Sequence, residues 1–192
     1  MSKIILASGS KQRRLLFETL GLPFEIIPAD IDENAVAFTD LKSRAENIAR
    51  EKAEAVAKDH PDAIIIAADT YVVKDNKALE KPHSLEEAEA MITNLSAGES
   101  IAYSGYCYLD SQANINQSGV AETLMKFRSL SPQFIKQYVN SNPVKDWSAA
   151  FSPAYHEGMA LVDSIEGSFT SFTHGLPLEV IVPLLQKSGV DV

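Results

Sequence analysis

The sequence predicts an α/β domain built on a mixed sheet. Three observations carry that prediction. Short apolar runs alternate with helix-patterned stretches early in the chain, as strands connected through helices do. Two longer strand-like runs, 100–109 and 118–127, follow one another in the middle, joined by the polar stretch Asp110-Ser111-Gln112. The length of 192 residues, 45% of them hydrophobic, suits one domain that buries its own core without staples.

In chain order, Lys3-Ile4-Ile5-Leu6-Ala7 is rich in branched residues and reads as a buried strand, followed by a turn at Ser8-Gly9-Ser10. Lys11 to Leu20 reads as a helix stopped by Gly21. Phe24-Glu25-Ile26-Ile27 is a second strand, followed by the acidic loop Asp30-Ile31-Asp32-Glu33. Leu41 to His60 carries the clearest helical pattern. Ala63-Ile64-Ile65-Ile66-Ala67 predicts a fully apolar strand ending at Ala68-Asp69-Thr70, and Tyr71-Val72-Val73 with Ala78-Leu79 predicts a hairpin turning at Asp75-Asn76. Ser84 with Glu87 three residues on is the signature of a capping box, ahead of Leu85, Ala88, Met91, Ile92 and Leu95 at helical spacing. Ser131-Pro132 opens another helix with apolar face Phe134, Ile135, Tyr138 and Val139. Met159 to Ile165 reads as a strand, Glu166-Gly167 as a turn, and Leu178 to Lys187 as the last helix.

Composition limits the partners. The formal net charge of −9 repels nucleic acid and anionic lipid, so neither is an expected ligand. An anionic small molecule needs only a few cations placed in a cleft. The single cysteine, Cys107, excludes an intramolecular disulfide and suits a reducing compartment. Ile4 to Ala7 is too short for a signal-peptide core, and no stretch approaches the roughly 20 apolar residues of a membrane helix, so a cytoplasmic protein is expected.

Several residues stand where chemistry could occur. Ser8-Gly9-Ser10-Lys11-Gln12-Arg13-Arg14 lies between a strand and a helix, where unpaired N–H groups and the helix dipole favour an anion. The same residues also read as a plain serine cap with surface cations. Projected at about 100° per residue from Leu41, Ala45, Ile48, Ala49, Ala55 and Val56 share one arc, and Lys52 falls inside it. A lysine there must snorkel, pair or serve a site. Asp69, at the end of an apolar run, is partly withdrawn from water and so suited to be a base; it equally reads as a turn cap through Thr70. Asp30, Asp32 and Glu33 offer hard oxygens of the kind Mg²⁺ takes, or form a solvated acidic loop. Pro82 gives Lys81 a defined direction, although Glu80-Lys81-Pro82 also reads as a surface turn. His60, His83, His156 and His174 show no metal-ligand spacing, Cys107 reads as core packing and Trp147 as structural or interfacial, and no Walker or dinucleotide motif is present.

Together these segments resemble the Maf family. Leu6 to Arg14 stands where that family has Ser-x-Ser-Pro-x-Arg-Arg; Asp30 to Glu33, Ala49-Arg50-Glu51-Lys52-Ala53, Ala68-Asp69-Thr70, Lys81-Pro82 with Glu87-Ala88, Tyr103-Ser104-Gly105, Lys126 to Leu130, Glu166-Gly167-Ser168 and Gly175-Leu176-Pro177-Leu178 follow in family order. The match departs at Lys11, where the family has proline, at Glu80, where it has glycine, and along 145–158. The resemblance implies a mixed sheet like that of the Maf and inosine triphosphatase enzymes, with flanking helices and a cleft between two lobes, spanning 1–192 as one two-lobed domain. It implies a house-cleaning hydrolase that cleaves a nucleoside triphosphate to the monophosphate and pyrophosphate with Mg²⁺ or Mn²⁺. By the same resemblance Asp69 is the general base, Glu33 with Asp69 holds the metal, and Ser8, Ser10, Arg13, Lys52 and Lys81 hold phosphates. Gln12, Thr70 and Glu157 fall where the branches choose their nucleotide. Thr70 resembles the branch acting on dTTP and UTP, Glu157 and the Arg13-Arg14 pair resemble that acting on 7-methyl-GTP, and Gln12 resembles neither. A homodimer is left open. The alternatives are an inosine-triphosphatase-like enzyme and a non-enzymatic nucleotide-binding regulator of cell division.

Overall fold

The computed structural model describes residues 2–154 and 157–192. Tyr155 and His156 therefore lie outside the described residues, and with them the sequence reading of His156. Seven strands form one mixed sheet: β1 Ile4–Leu6, β2 Glu25–Ile26, β3 Ile64–Lys74, β4 Lys77–Leu79, β5 Glu99–Asp110, β6 Ile115–Phe127 and β7 Val162–Gly167. The order is β2-β1-β3-β5-β6-β7, with β4 pairing β3; β1 runs parallel to β2 and β3, and all other pairs are antiparallel. The helices are α1 Lys11–Glu18, α2 Leu41–Asp59, α3 Leu85–Leu95, α4 Pro132–Ser141, α5 Phe169–His174 and α6 Leu178–Lys187. Among the described residues no helix is long and apolar enough to cross a membrane.

The feature that creates the site is the edge of β3. The sequence predicts a strand ending at Ala68-Asp69-Thr70, but β3 continues through them to Lys74. The reason is non-local: β5 pairs with β3 without a break from Ile65↔Leu109 to Val73↔Ile101. Along the opposite edge, β1 flanks Ile64 to Ile66 and β4 flanks Val72 to Lys74. Among the described residues, 67–71 thus have no strand beside them on that edge, and the sheet opens there.

Side chains alternate along β3, so the opening reaches both faces. Ile65 and Ala67 point with Ile5 and Ala7 into a cluster under α2, with Ala49, Ala53 and Val56. Tyr71 and Val73 join Ala45 in a smaller cluster on the same face. On the other face two larger cores form. One joins Leu6, Ile66, Ala68 and Tyr106 to Phe17, Ile181 and Leu184 of α1 and α6. The other joins Val72, Ala102 and Met125 to Ile92, Tyr138, Trp147 and Phe151. Burying each such large aliphatic side chain contributes roughly 1.5–3 kcal/mol.

α2 begins in a capping box: the Ser43 N–H donates to Asp40 at 2.7 Å and the Asp40 N–H to Ser43 at 3.1 Å. Its buried face is Ala45, Ile48, Ala49, Ala53 and Val56. Ala53 takes the place expected for Ala55, a rotation of the arc that still leaves Lys52 within it. Gly105 sets how closely α2 approaches the sheet, because a Cβ there would lie 2.0 Å from the Ala45 carbonyl oxygen. Gly105 is also the cross-strand partner of Asp69.

Other local expectations change in detail. Ser84 caps Glu87 N, but the Glu87 carboxylate accepts from His83 N rather than from the cap residue, so the α3 box is half closed. The strand expected from Met159 begins at Val162, after a 3-10 turn at Gly158–Leu161, and includes Glu166 and Gly167. α5, with no clear apolar period of its own, is an addition that the sequence reading lacks.

Candidate active site

The β1–α1 connection supplies the first wall. Ser10 caps α1, its hydroxyl accepting from Arg13 N at 3.4 Å and donating to Gln12 at 3.2 Å. Arg13 is buried, and burial pulls its guanidinium below its ordinary range, an effect opposed by the charges of Asp69 and Glu33. Its donors are well placed: Nε to the Gly175 carbonyl at 2.9 Å, Nη1 to Ser8 at 3.0 Å and Nη2 to Thr70 at 3.1 Å. Thr70 Oγ1 also lies 3.1 Å from Ser104 and 3.2 Å from the Gly175 carbonyl. Gly175 ends α5 in the left-handed region at φ 71°, and a Cβ there would crowd Thr70 Oγ1 at 2.8 Å. Arg13 therefore joins the β1–α1 connection, β3 and the residue that ends α5 into one polar floor.

The second wall comes from the α2 face. Lys52 Nζ lies 2.8 Å from Glu33 and 2.9 Å from Asp69. The Lys52 and Asp69 side chains are only 13% and 14% exposed, whereas Glu33 is 48% exposed. The lysine inside the apolar arc thus pairs rather than snorkels. Asp32 caps the 3-10 turn that presents Glu33, accepting from Asn34 N at 3.0 Å.

The rest of the cleft is shared out by chemistry. Lys11 and Lys81 are exposed cations in its lining. Met125, Trp147, Phe151 and Phe172 form an apolar end. His174, on the rim, has its imidazole pushed below its usual range by burial. The whole cleft measures about 1420 Å³, above the 300–1,000 Å³ or so of ordinary small-molecule pockets. It has room for a base, a sugar and a phosphate chain.

Nine of the ten residues to which the resemblance gives a site role line this one cleft: Ser8, Ser10, Gln12, Arg13, Glu33, Lys52, Asp69, Thr70 and Lys81. Glu157 does not. Its carboxylate accepts from Asn142 Nδ2 at 3.4 Å. The chain packs back on itself there, with Gly158 so close to Ser152 that a Cβ would lie 1.9 Å from its carbonyl oxygen. Ser152 and Pro153, not Glu157, reach the lining. Sequence reasoning also missed Arg44, which enters the cleft from the first turns of α2, stacked 5.1 Å from the Tyr71 ring and 5.8 Å from that of Phe38. Arg44 has no local signal, since a charged residue early in a helix normally reads as surface.

Glu33 and Asp69 offer hard carboxylate oxygens of the kind a divalent cation takes, and the point within 3 Å of both is held by the Lys52 ammonium. Among the described residues no group of three or more acidic, histidine or cysteine side chains forms a closed metal cage. Two carboxylates completed by substrate phosphates are the usual way Mg²⁺ is held.

The chain is similar to known proteins along nearly its whole length. The family model described as Maf-like protein matches residues 3–188. A dTTP/UTP pyrophosphatase of Moorella thermoacetica is 39% identical over 194 residues, covering 100% of this chain and 98% of that protein. A dTTP/UTP pyrophosphatase of Deinococcus radiodurans is 35% identical over 189 residues, covering 98% and 94%. Among solved structures, a HAM1 protein from Coxiella burnetii superposes with a TM-score of 0.52 at 17% identity, covering 97% of this chain and 100% of that one, a likeness of fold.

Proposed function

This chain belongs to the Maf family, and from that premise we propose that it hydrolyses dTTP and UTP to the monophosphate and pyrophosphate. The observation that carries the reading is the convergence of Glu33, Lys52 and Asp69 in a cleft that also holds Lys11, Arg13 and Lys81. A triphosphate needs its charge neutralised, a water activated and its geometry held. The cleft contains groups suited to each task.

Asp69 takes the proton from a water whose oxygen bonds to the α-phosphorus. The bond from that phosphorus to the bridging oxygen breaks, and pyrophosphate leaves with the electron pair. Lys52 holds Asp69 in place through its 2.9 Å contact. Ser8, Ser10 and the first N–H groups of α1 face the phosphate oxygens, and Lys81, also in the lining, adds a cation. A divalent cation held by Glu33 and Asp69 would neutralise phosphate charge and polarise the phosphorus. Arg13 orders the floor, its three occupied donors fixing Ser8 and Thr70 where substrate rests.

The choice of pyrimidine rests on two supports. The relatives that align over nearly the full chain are named for dTTP and UTP. Glu157, the residue resembling the 7-methyl-GTP branch, lies outside the cleft lining, whereas Thr70 sits in its floor.

The test is a panel of UTP, dTTP, CTP, ITP and 7-methyl-GTP with Mg²⁺ and with Mn²⁺, following pyrophosphate and monophosphate. UTP and dTTP should give the highest kcat/KM. Pyrophosphate from none of them would leave only a binding role. A preference for ITP would move the protein to the inosine triphosphatase class.

A further inference from the structure

Arg44 and Glu80 are the pair that the reaction just described does not use. The Arg44 guanidinium lies 2.7 Å from Glu80, with side chains 17% and 61% exposed. Among the described residues this is the one ion pair between α2 and the connection from β4 to α3. Both elements line the cleft: α2 bears Lys52, and the connection bears Lys81.

Each end of the pair is fixed. On the α2 side, Arg44 is held between the Tyr71 and Phe38 rings. Tyr71 is itself anchored, its hydroxyl donating to the Leu41 carbonyl in the first turn of α2. Burial pushes that phenol up to about 12, so it remains a donor throughout the working range. On the other side, the Glu80 carbonyl accepts from Ala149 N at 3.1 Å, and the Leu79 carbonyl accepts from Ser148 at 2.5 Å. Ser148 also receives Val72 N at 3.1 Å, which ties the segment back to β3 just beyond the sheet opening. Pro82, buried, follows Lys81 and restricts the backbone beyond it. Lys81 therefore sits between two constrained residues, and its own side chain has no ion-pair partner among the described residues.

We propose that the Arg44–Glu80 pair is a latch that positions Lys81: it closes the 79–81 segment onto α2, so that the Lys81 ammonium addresses the same phosphate chain as Lys52. Arg44 and Glu80 are positioning residues, because they act on substrate through Lys81. An exposed ion pair alone contributes little, but Arg44 is mostly buried and stacked, so it has little freedom to leave the geometry. Without Glu80 the guanidinium keeps its aromatic seat, while the Lys81 segment loses its tie to α2. The cost falls on phosphate binding rather than on the fold or on the proton transfer at Asp69.

This inference rests on the proposed triphosphate site, and its test separates the two. The probes are α,β-imido-UTP and inorganic tripolyphosphate. Binding is read from the fluorescence of Trp147, the single tryptophan, which lies in the cleft wall. Kinetics and melting are measured alongside. Arg44→Met and Glu80→Gln should each weaken tripolyphosphate binding and raise KM about tenfold. They should leave kcat within about twofold and melting nearly unchanged. In a Lys81→Ala background the same substitutions should change neither affinity nor KM further. The latch is overturned if both variants bind as wild type does, or if they weaken binding equally with Lys81 absent. If Arg44→Met fails to fold, Glu80→Gln at the exposed end still decides. Wild-type protein that binds tripolyphosphate but hydrolyses no nucleotide would defeat the proposed activity and leave the latch to be judged by the binding series. Wild-type protein that binds neither probe would overturn both.

Discussion

Replacing Asp69 with asparagine tests the proposed chemistry most directly. The substitution keeps the shape and an oxygen for Lys52, now 2.9 Å away, but removes the ability to take a proton. The stability cost is limited because Lys52 retains Glu33 at 2.8 Å. Losing one charged partner from a part-buried hydrogen bond costs about 1–2 kcal/mol. In a chain of this size that lowers Tm by roughly 2–8 °C. The catalytic cost is larger. A positioned general base contributes about 10²–10⁴ in rate, or about 2.7–5.4 kcal/mol at 1.36 kcal/mol per tenfold. The kcat for UTP should therefore fall by at least a hundredfold, with KM changed far less. Pyrophosphate release can be followed through a coupled inorganic pyrophosphatase, and folding by circular dichroism and thermal melting. A folded variant with kcat within threefold of wild type would remove Asp69 from the base role and shift attention to Glu33.

Lys52→Met should lower kcat about 10²–10³-fold, as for loss of one preorganised donor, and reduce Tm by several degrees because Asp69 loses its closest cation; full activity with a large Tm loss would make the lysine purely structural. Gly105→Ala should push α2 off the sheet, since the new Cβ would meet Ala45 O at 2.0 Å and Glu46 N at 2.6 Å. The overpacking cost is at least about 1–3 kcal/mol, and kcat/KM should drop tenfold or more as Lys52 moves away from Asp69; an unchanged melt and rate would show that the close approach is unimportant. Burial pushes the Cys107 thiol up to about 12, so at pH 8 it is almost wholly protonated. Iodoacetamide should leave the native protein unlabelled and modify it once denatured; rapid native labelling would contradict the buried assignment.

Most of the helices and strands are legible in the sequence because their causes are local. The apolar run through Ile64, Ile65 and Ile66 makes a strand wherever it lies, and the capped, periodic α2 makes a helix with Lys52 on its inner face. The β1–α1 turn is equally readable, since Ser10 needs only Arg13 N three residues away to act as a cap. What one segment does to another is not legible. Asp69 lies inside a strand rather than at its end because β5, more than thirty residues later, supplies an unbroken partner. Lys52 could have snorkelled; its choice of Glu33 and Asp69 follows from the depth to which Gly105 admits α2. Glu157 fell in a segment whose motif match was poor, and backbone packing between Gly158 and Ser152 turned it toward Asn142. Arg44 carries no local signal at all, since its role comes from two rings and a carboxylate on other segments. Periodicity, capping and charge type are properties of neighbours along the chain, so the sequence by itself determined which residues could do the chemistry. Register, close approach and the gap in the β3 edge depend on contacts between distant segments, so only the tertiary structure decided which of those residues meet.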